Sequence, residues 1–304
     1  MQETSIAILP SSQIIFSKWD ECVAQASHEN IFMYSWCLNN LCDNWCGVVI
    51  GNYDAVFPLP FRKKWGLKYM YQVPFIAKLS LMQQINFTIN KEAIFKLLQQ
   101  QFLFMHFDID NFLFEKWKPK NRCNYFIRLN KTYDELSAQF TDSCKKNIRK
   151  AINRKCTLVN SNDYEVVFTL YEQAYGSLHK LHVSSNDYSL AKAFVKNAIA
   201  LQKASVWHVL HETTAELLFG AIILEDKNRF YYWLGAPTTV GRQCRATYFF
   251  IDAFIQLYCC KPNAVFDFEG SDIENVAYFY QQFAPEKETY FEVNQTNFLS
   301  YFFQ

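Results

Sequence analysis

Two carboxylates flank one aromatic residue in the run Phe266-Asp267-Phe268-Glu269-Gly270. Side chains alternate along a strand, so Asp267 and Glu269 are expected on the same face. Carboxylates held side by side repel, and the repulsion raises the pKa of one of them. Such a group can accept a proton from an amine or anchor an ammonium ion. The same residues also suit a plain architectural role, with Asp267 accepting backbone N–H bonds at a turn and Glu269 facing solvent. Other nucleophile patterns are missing: the chain has no Gly-x-Ser-x-Gly elbow and no paired Cys–His signature. His179 and His182 are three apart in a polar stretch and can meet on one helix face, but no third metal ligand accompanies them. His208 and His211 fall in and at the end of a strand-like run and are expected to be structural.

The elements around the two acids are well marked. Residues 264–266 are a short apolar run that reads as a buried strand. Gly270 permits a turn, Ser271-x-x-Glu274 matches a capping box, and Ile273, Val276, Ala277, Tyr280 and Phe283 follow at helical spacing up to Pro285. Upstream, residues 205–211, 216–225 and 229–236 read as an antiparallel meander, followed by a long helix over 247–260. Before these come a strand at 124–129, a capping box at Thr132-x-x-Glu135, a strongly basic helix over 143–155, and helices over 164–175 and 188–203.

The first part of the chain has a shorter version of this order. It shows a helix with Trp19, Cys22, Val23 and Ala26 on one face, an aromatic segment over 30–41, and a hairpin of 46–50 with 55–57. Pro58 and Pro60 are expected to end the pairing, leaving Arg62-Lys63-Lys64-Trp65-Gly66 as a basic loop. An extended segment over 67–73, a helix over 91–101 and a strand over 102–107 complete it. The polar run at 118–121 marks a junction, dividing the chain into 1–120 and 121–304. The similar layout of the two parts predicts two related halves.

Composition narrows the function classes. Hydrophobic residues make up 50% and aromatics 18% of the 304 residues, enough for large buried cores. A net charge of +1 gives no global case for nucleic acid or an anionic membrane, so only local patches can make one. No segment is apolar over the roughly 18 residues that a membrane span requires. The first residues lack the basic and apolar regions of a signal peptide, which points to a cytoplasmic chain. The ten cysteines form no C-x-x-C pair and are expected as free thiols, with no metal site.

Several stretches resemble the FemABX-like proteins, which carry two acetyltransferase-type (GNAT) domains. These stretches are WDECVAQASHENIFMYSW, DAVFPLPFRKKWGLKYMYQVPF, the basic SCKKNIRKAINRK and above all FDFEGSDIENVAYFYQQFAP. The resemblance covers nearly the whole chain and implies an α+β (α/β) fold. Each half would have a mixed, mostly antiparallel central sheet flanked by helices. It also implies acyl transfer from an activated donor, acyl-CoA above all, to a small-molecule or peptide amine, with no permanently bound cofactor. Two alternatives stand beside it: a transferase using aminoacyl-tRNA, and a binding protein that keeps the fold without catalysis. The long helical hairpin of some cell-wall bridge enzymes is missing.

The resemblance also assigns residues. Asp267 and Glu269 become the base or amine anchor, and Tyr232 a donor contact or proton donor. Asp267→Asn is expected to lower turnover with the fold intact. The phosphate-binding turn of acyl-CoA users maps to residues 238–247. Arg242 and Ala246 stand at positions of that motif, and Arg245 replaces its first glycine, so the two arginines are expected to contact phosphate through their side chains. Trp36, Arg62, Lys63 and Tyr71 are the candidates for acceptor binding. The basic helix is the candidate contact for tRNA.

Overall fold

The computed structural model describes residues 5–84, 91–110, 117–176, 183–270 and 273–296. The chain forms two compact units, Met1–Arg122 with Thr289–Gln304, and Cys123–Glu288.

In the first unit the order is β1 (Ile6–Pro10), α1 (Phe16–Gln25), α2 (Ser35–Leu41), β2 (Trp45–Ile50), β3 (Ala55–Lys64), β4 (Leu67–Met70), β5 (Met82–Gln83), α3 (Lys91–Gln101) and β6 (Phe104–Ile109). Strands β1 to β4 are successively antiparallel, and β4 joins β6 in parallel. Trp19 of α1 is fully buried, and its indole N–H donates to the Met33 carbonyl at 2.8 Å.

The prolines do not end the pairing. Pro58 and Pro60 lie inside β3, opposite Gly47 and Trp45 of β2. The Phe61 N–H donates to the Asn44 carbonyl on the β2 side, so by alternation residues 58 and 60 face the other way. There β5 pairs with residues 55 and 56 and β4 with residues 61 to 64, so neither proline meets a strand that needs its missing donor. The basic run 62–64 is therefore the end of a strand, paired with β4, and not a loop.

The second unit contains β7 (Lys120–Arg128), α4 (Tyr133–Ala138), α5 (Asp142–Asn153), β8 (Cys156–Ser161), α6 (Tyr164–Tyr175), α7 (Ser185–Ala200), β9 (Ala204–His211), β10 (Leu217–Glu225), β11 (Arg229–Pro237), α8 (Thr239–Cys244), α9 (Ala246–Tyr258), β12 (Val265–Asp267) and α10 (Glu274–Gln281). Its sheet runs β7-β12-β11-β10-β9-β8, antiparallel except for the parallel pair β11–β12. The capping box at Thr132 is formed, and a second joins Ser184 to Asp187 at the start of α7. Helix α9 packs on one face, where Phe254 meets Trp207 and Phe230 at 5.9 and 5.5 Å. Helices α6 and α7 cover the other, where Phe168 and Phe194 meet Trp233 at 6.1 and 5.3 Å.

The last strand, β13 (Glu286–Thr296), pairs its residues from Phe291 onward with β6 in the first unit. Its register sets Glu292 directly opposite Asp108. Arg122 lies 2.9 Å from Glu292 and His106 3.3 Å from it. Burial pushes the Asp108 carboxyl up to about 7, with Arg122 offsetting part of the effect and Glu292 adding to it. Because the folded state holds this proton more tightly than the unfolded chain does, the contribution of Asp108 to stability falls as pH rises from about 4 to about 7 and is flat above. Asp108→Asn should remove that dependence, raising the melting temperature above pH 7 relative to wild type more than it does near pH 4. Parallel melting curves across that range would show that the group titrates normally.

Candidate active site

The site begins where two central strands part. Strands β11 and β12 pair in parallel only over Arg229–Tyr231 and Val265–Asp267. Beyond that, β11 continues to Pro237, while β12 ends at Asp267.

Asp267 is completely buried at this point. One of its carboxylate oxygens accepts hydrogen bonds from the Asn124 side-chain amide at 2.9 Å and from the Glu269 N–H at 2.8 Å. The other is ion-paired with the Arg229 guanidinium, which also reaches Glu288 at 3.7 Å. Burial works against the Arg229 charge, but Asp267 and the other anionic neighbours outweigh it and hold Arg229 firmly protonated. The bond to Glu269 makes an Asx-type turn. It fixes Glu269 at φ 62, followed by Gly270 at φ 79.

The expectation that the two acids share a face does not hold. The strand ends at Asp267, so its alternation does not extend to Glu269. Asp267 faces its partners in the sheet, whereas Glu269 lines a cavity of about 610 Å³. Phe268, between them, stacks on Tyr280 at 4.3 Å and is an anchor of the core. Ser271 lies outside the described residues, and α10 starts at Glu274 after Ile273, which makes no side-chain cap.

The cavity is also lined by Tyr232, Tyr171, Tyr175, Arg242 and Arg245. Tyr232 gets there through a bulge. Ile222 pairs with Leu234 but Ile223 with Tyr232, so Trp233 is an extra residue on β11. The Tyr232 ring lies along its own strand over Gly235. A Cβ at Gly235 would stand 2.2 Å from the Tyr232 hydroxyl oxygen, so only glycine leaves room for this ring. Burial pushes the phenol pKa of Tyr232 well above its ordinary value, and nearby Tyr280, Tyr175 and Tyr171 add to the shift. Burial also lifts Tyr280, helped by the Glu269 carboxylate among others. Burial raises Tyr175, while the Arg242 guanidinium offsets part of that rise. These phenols are therefore protonated at neutral pH and available as hydrogen-bond donors.

The two arginines are placed by the α8–α9 junction. Thr238 caps α8, accepting from the Gly241 N–H at 2.9 Å. Arg245 then takes a left-handed conformation, φ 65, between the helices, and α9 starts at Ala246. That conformation is the usual province of glycine. The Arg245 carbonyl accepts from the Tyr248 N–H at 3.0 Å as the first turn of α9 closes. Arg242, Arg245 and Thr247 line the cavity, but Ala246 is fully buried and does not. The structure thus brings together Tyr232, Arg242, Arg245 and Glu269 and leaves Asp267 and Ala246 in the framework behind them.

The remaining candidates lie in the first unit. Arg62 stacks over the Tyr71 ring at 4.2 Å and donates to Asp43 at 2.5 Å. Tyr71 is buried, and its hydroxyl accepts from the Asp43 N–H at 3.4 Å. Lys63 is exposed on the opposite face of β3, and Trp36 is half-buried in α2. His179 and His182 lie outside the described residues. His208 contacts the Asp163 carbonyl at 3.1 Å, a structural contact. Among the described residues no cluster of three or more His, Cys, Asp or Glu can hold a metal ion. The cysteines make no disulfide, and most of them are buried. Sequence reasoning missed Arg229, Asn124 and the cavity tyrosines Tyr171, Tyr175 and Tyr280. Of these only Tyr280 had a signal, its helical spacing.

No family model matches the chain, and no curated protein does. Solved structures do. FemX superposes with a TM-score of 0.66 at 13% identity, covering 99% of each chain. The C-terminal domain of a putative lysylphosphatidylglycerol synthetase from Agrobacterium fabrum gives 0.59 at 8% identity over 92% of each chain. A tandem GNAT protein from the clavulanic acid biosynthesis pathway gives 0.54 at 9% identity, over 95% of this chain and 98% of that one. The chain has the tandem GNAT fold that these proteins share, a mixed α and β architecture with mostly antiparallel sheets.

The burial of Asp267 changes what its substitution should do. Asp267→Asn leaves the Arg229 charge in a mostly buried setting with Glu288 as its acidic partner, a loss of about 3 kcal/mol. Urea unfolding should show a lower midpoint with an unchanged slope. An unshifted midpoint would mean that the ion pair does not hold the split together.

Proposed function

We propose that the cavity of the second unit transfers an acyl group from acyl-CoA to the amine of a small molecule or peptide. The observation that carries this is the α8–α9 junction: two guanidinium groups and the start of α9 border the same cavity as Tyr232 and Glu269. The first N–H groups of a helix have no partner within it, and together with the helix dipole they favour an anion. Arg242 and Arg245 add positive charge suited to a pyrophosphate. The transfer itself forms a C–N bond and breaks the C–S bond of the thioester. Held close together, donor and amine react with much of the entropic cost already met. Glu269 takes the proton from the attacking amine, directly or through water, and the Tyr232 hydroxyl donates to the departing thiolate. Asp267 acts behind Glu269 as a positioning residue, through the bond that sets its backbone. A cytoplasmic location agrees with an acyl-CoA donor.

A second donor, aminoacyl-tRNA, is favoured by helix α5. Its buried side is Cys144, Ile148 and Ala151, which leaves Lys145, Lys146, Arg149 and Lys150 toward solvent or half-exposed. A non-catalytic binding role is favoured only by the arginine at the glycine position of the phosphate turn.

Thermal shifts separate these readings. An acyl-CoA user should gain about 2.7 kcal/mol at a ligand concentration a hundred times the Kd. The Arg242→Ala, Arg245→Ala double variant should lose at least about tenfold in CoA affinity, since each charge-assisted contact is worth roughly 1.5–3 kcal/mol. Stabilisation by deacylated tRNA but not by CoA would favour the second donor, and stabilisation by neither would remove both.

Tyr232→Phe tests the chemistry. It keeps the ring over Gly235 and should lower kcat on the order of a hundredfold with little change in KM. Full turnover in that variant would take Tyr232 out of the reaction.

A further inference from the structure

The β3–β4 hairpin breaks two local rules at its tip. Its two-residue turn places Trp65 at φ 52 and Gly66 at φ 81. Turns of this kind favour Asn-Gly or Asp-Gly, because both central residues must be left-handed. A tryptophan there is strained, and it is also 72% exposed. The register sets Lys63 directly opposite Lys68, a like-charge pair that destabilises a sheet. Neither feature helps the unit to fold. Positions that break local rules without structural gain mark function.

The chemistry of the tip is consistent throughout. Trp65 and the partly exposed Leu67 form an apolar point. Lys64 lies 4.7 Å over the Trp65 ring, and Lys63, Lys64 and Lys68 make no ion pair among the described residues. Arg62 is already neutralised by Asp43. The chain as a whole carries only +1, so this is a local concentration of charge and not a general one.

We propose that this hairpin docks the protein on an anionic phospholipid bilayer. Trp65 and Leu67 sit at the boundary of headgroups and acyl chains, where tryptophan is favoured. The exposed Lys63 and Lys64 face the lipid phosphates, and Lys68, half-exposed over the Phe61 ring at 4.8 Å, adds its charge behind them, each attraction falling off within a Debye length. The contact is peripheral, since no helix among the described residues is long and apolar enough to cross a membrane. A projecting apolar tip ringed by lysines suits a bilayer better than RNA, which would need a groove or a platform for stacked bases. The proposal does not depend on the acyl-transfer reading, because docking needs no donor.

Co-sedimentation of the full chain with vesicles tests it. Phosphatidylcholine vesicles should leave the protein in solution, and vesicles also containing phosphatidylglycerol should carry it down, less so as salt is raised. Trp65→Asn keeps a residue that tolerates the left-handed turn and should lower partitioning by about fivefold. The Lys63→Glu, Lys68→Glu double variant should lower it by more than about tenfold. Trp65 and Lys63 are exposed and Lys68 is half-exposed, and melting curves like that of wild type would confirm that the variants fold. Failure of the wild-type chain to bind anionic vesicles would overturn the proposal, as would variants that bind like wild type. Capture of an RNA oligonucleotide through the same three residues, without vesicle binding, would also overturn it.

Discussion

A single buried ion pair sets the geometry of the second unit. Asp267 on β12 meets Arg229 on β11, and Asn124 on β7 completes its hydrogen bonding. A carboxylate taken out of water costs several kcal/mol unless a partner and hydrogen bonds compensate. Here three neighbouring strands supply the compensation, so they are tied together at the last residues where β11 and β12 still pair. The opening that follows is therefore anchored at its closed end. The same carboxylate reaches forward to the Glu269 N–H and sets the direction in which the next acid points.

What grows from that anchor is an aromatic chamber with few charges. Tyr232, Tyr280 and Tyr175 are held protonated by burial, and the fixed positive charges come from one short stretch, Arg242 to Arg245. Glu269 is the single acid in the same lining. The positive charge of the lining therefore lies at the helix start, and its acid lies just past the strand split.

Much of this fold is legible in the sequence. The helix over 91–101 and the Thr132 capping box read directly, because local signals and tertiary structure agree there. The meander strands lie within a residue or two of their predicted ranges. Other elements carry no such local signal. Strand β8 follows the basic helix with only Arg154 and Lys155 between them, Lys155 turning the chain at φ 58, and its pairing partner lies some fifty residues away in β9. Strand β13 depends on β6, far earlier in the chain. The prolines of β3 misled because their tolerance rests on which side of the strand lacks a neighbour, a fact of topology. The paired acids misled for a smaller reason. Alternation predicts a shared face only while the strand continues, and this one stops at Asp267. Arg229 had no signal at all, since nothing in the sequence links it to an acid thirty-eight positions later.

Arg245 shows how backbone and chemistry can ask for different residues. Helix α8 packs closely on β10, since a Cβ at Gly241 would lie 1.7 Å from the Leu218 carbonyl oxygen. Between α8 and α9 the chain passes through a left-handed residue, Arg245 at φ 65. Glycine meets that demand without strain, whereas an L-residue gives up roughly 1–2 kcal/mol there. The local backbone thus favours glycine. What arginine adds is a guanidinium on the wall of the cavity, beside the free end of a helix. The strained conformation thus sets a positive side chain beside the start of a helix, where the dipole favours an anion.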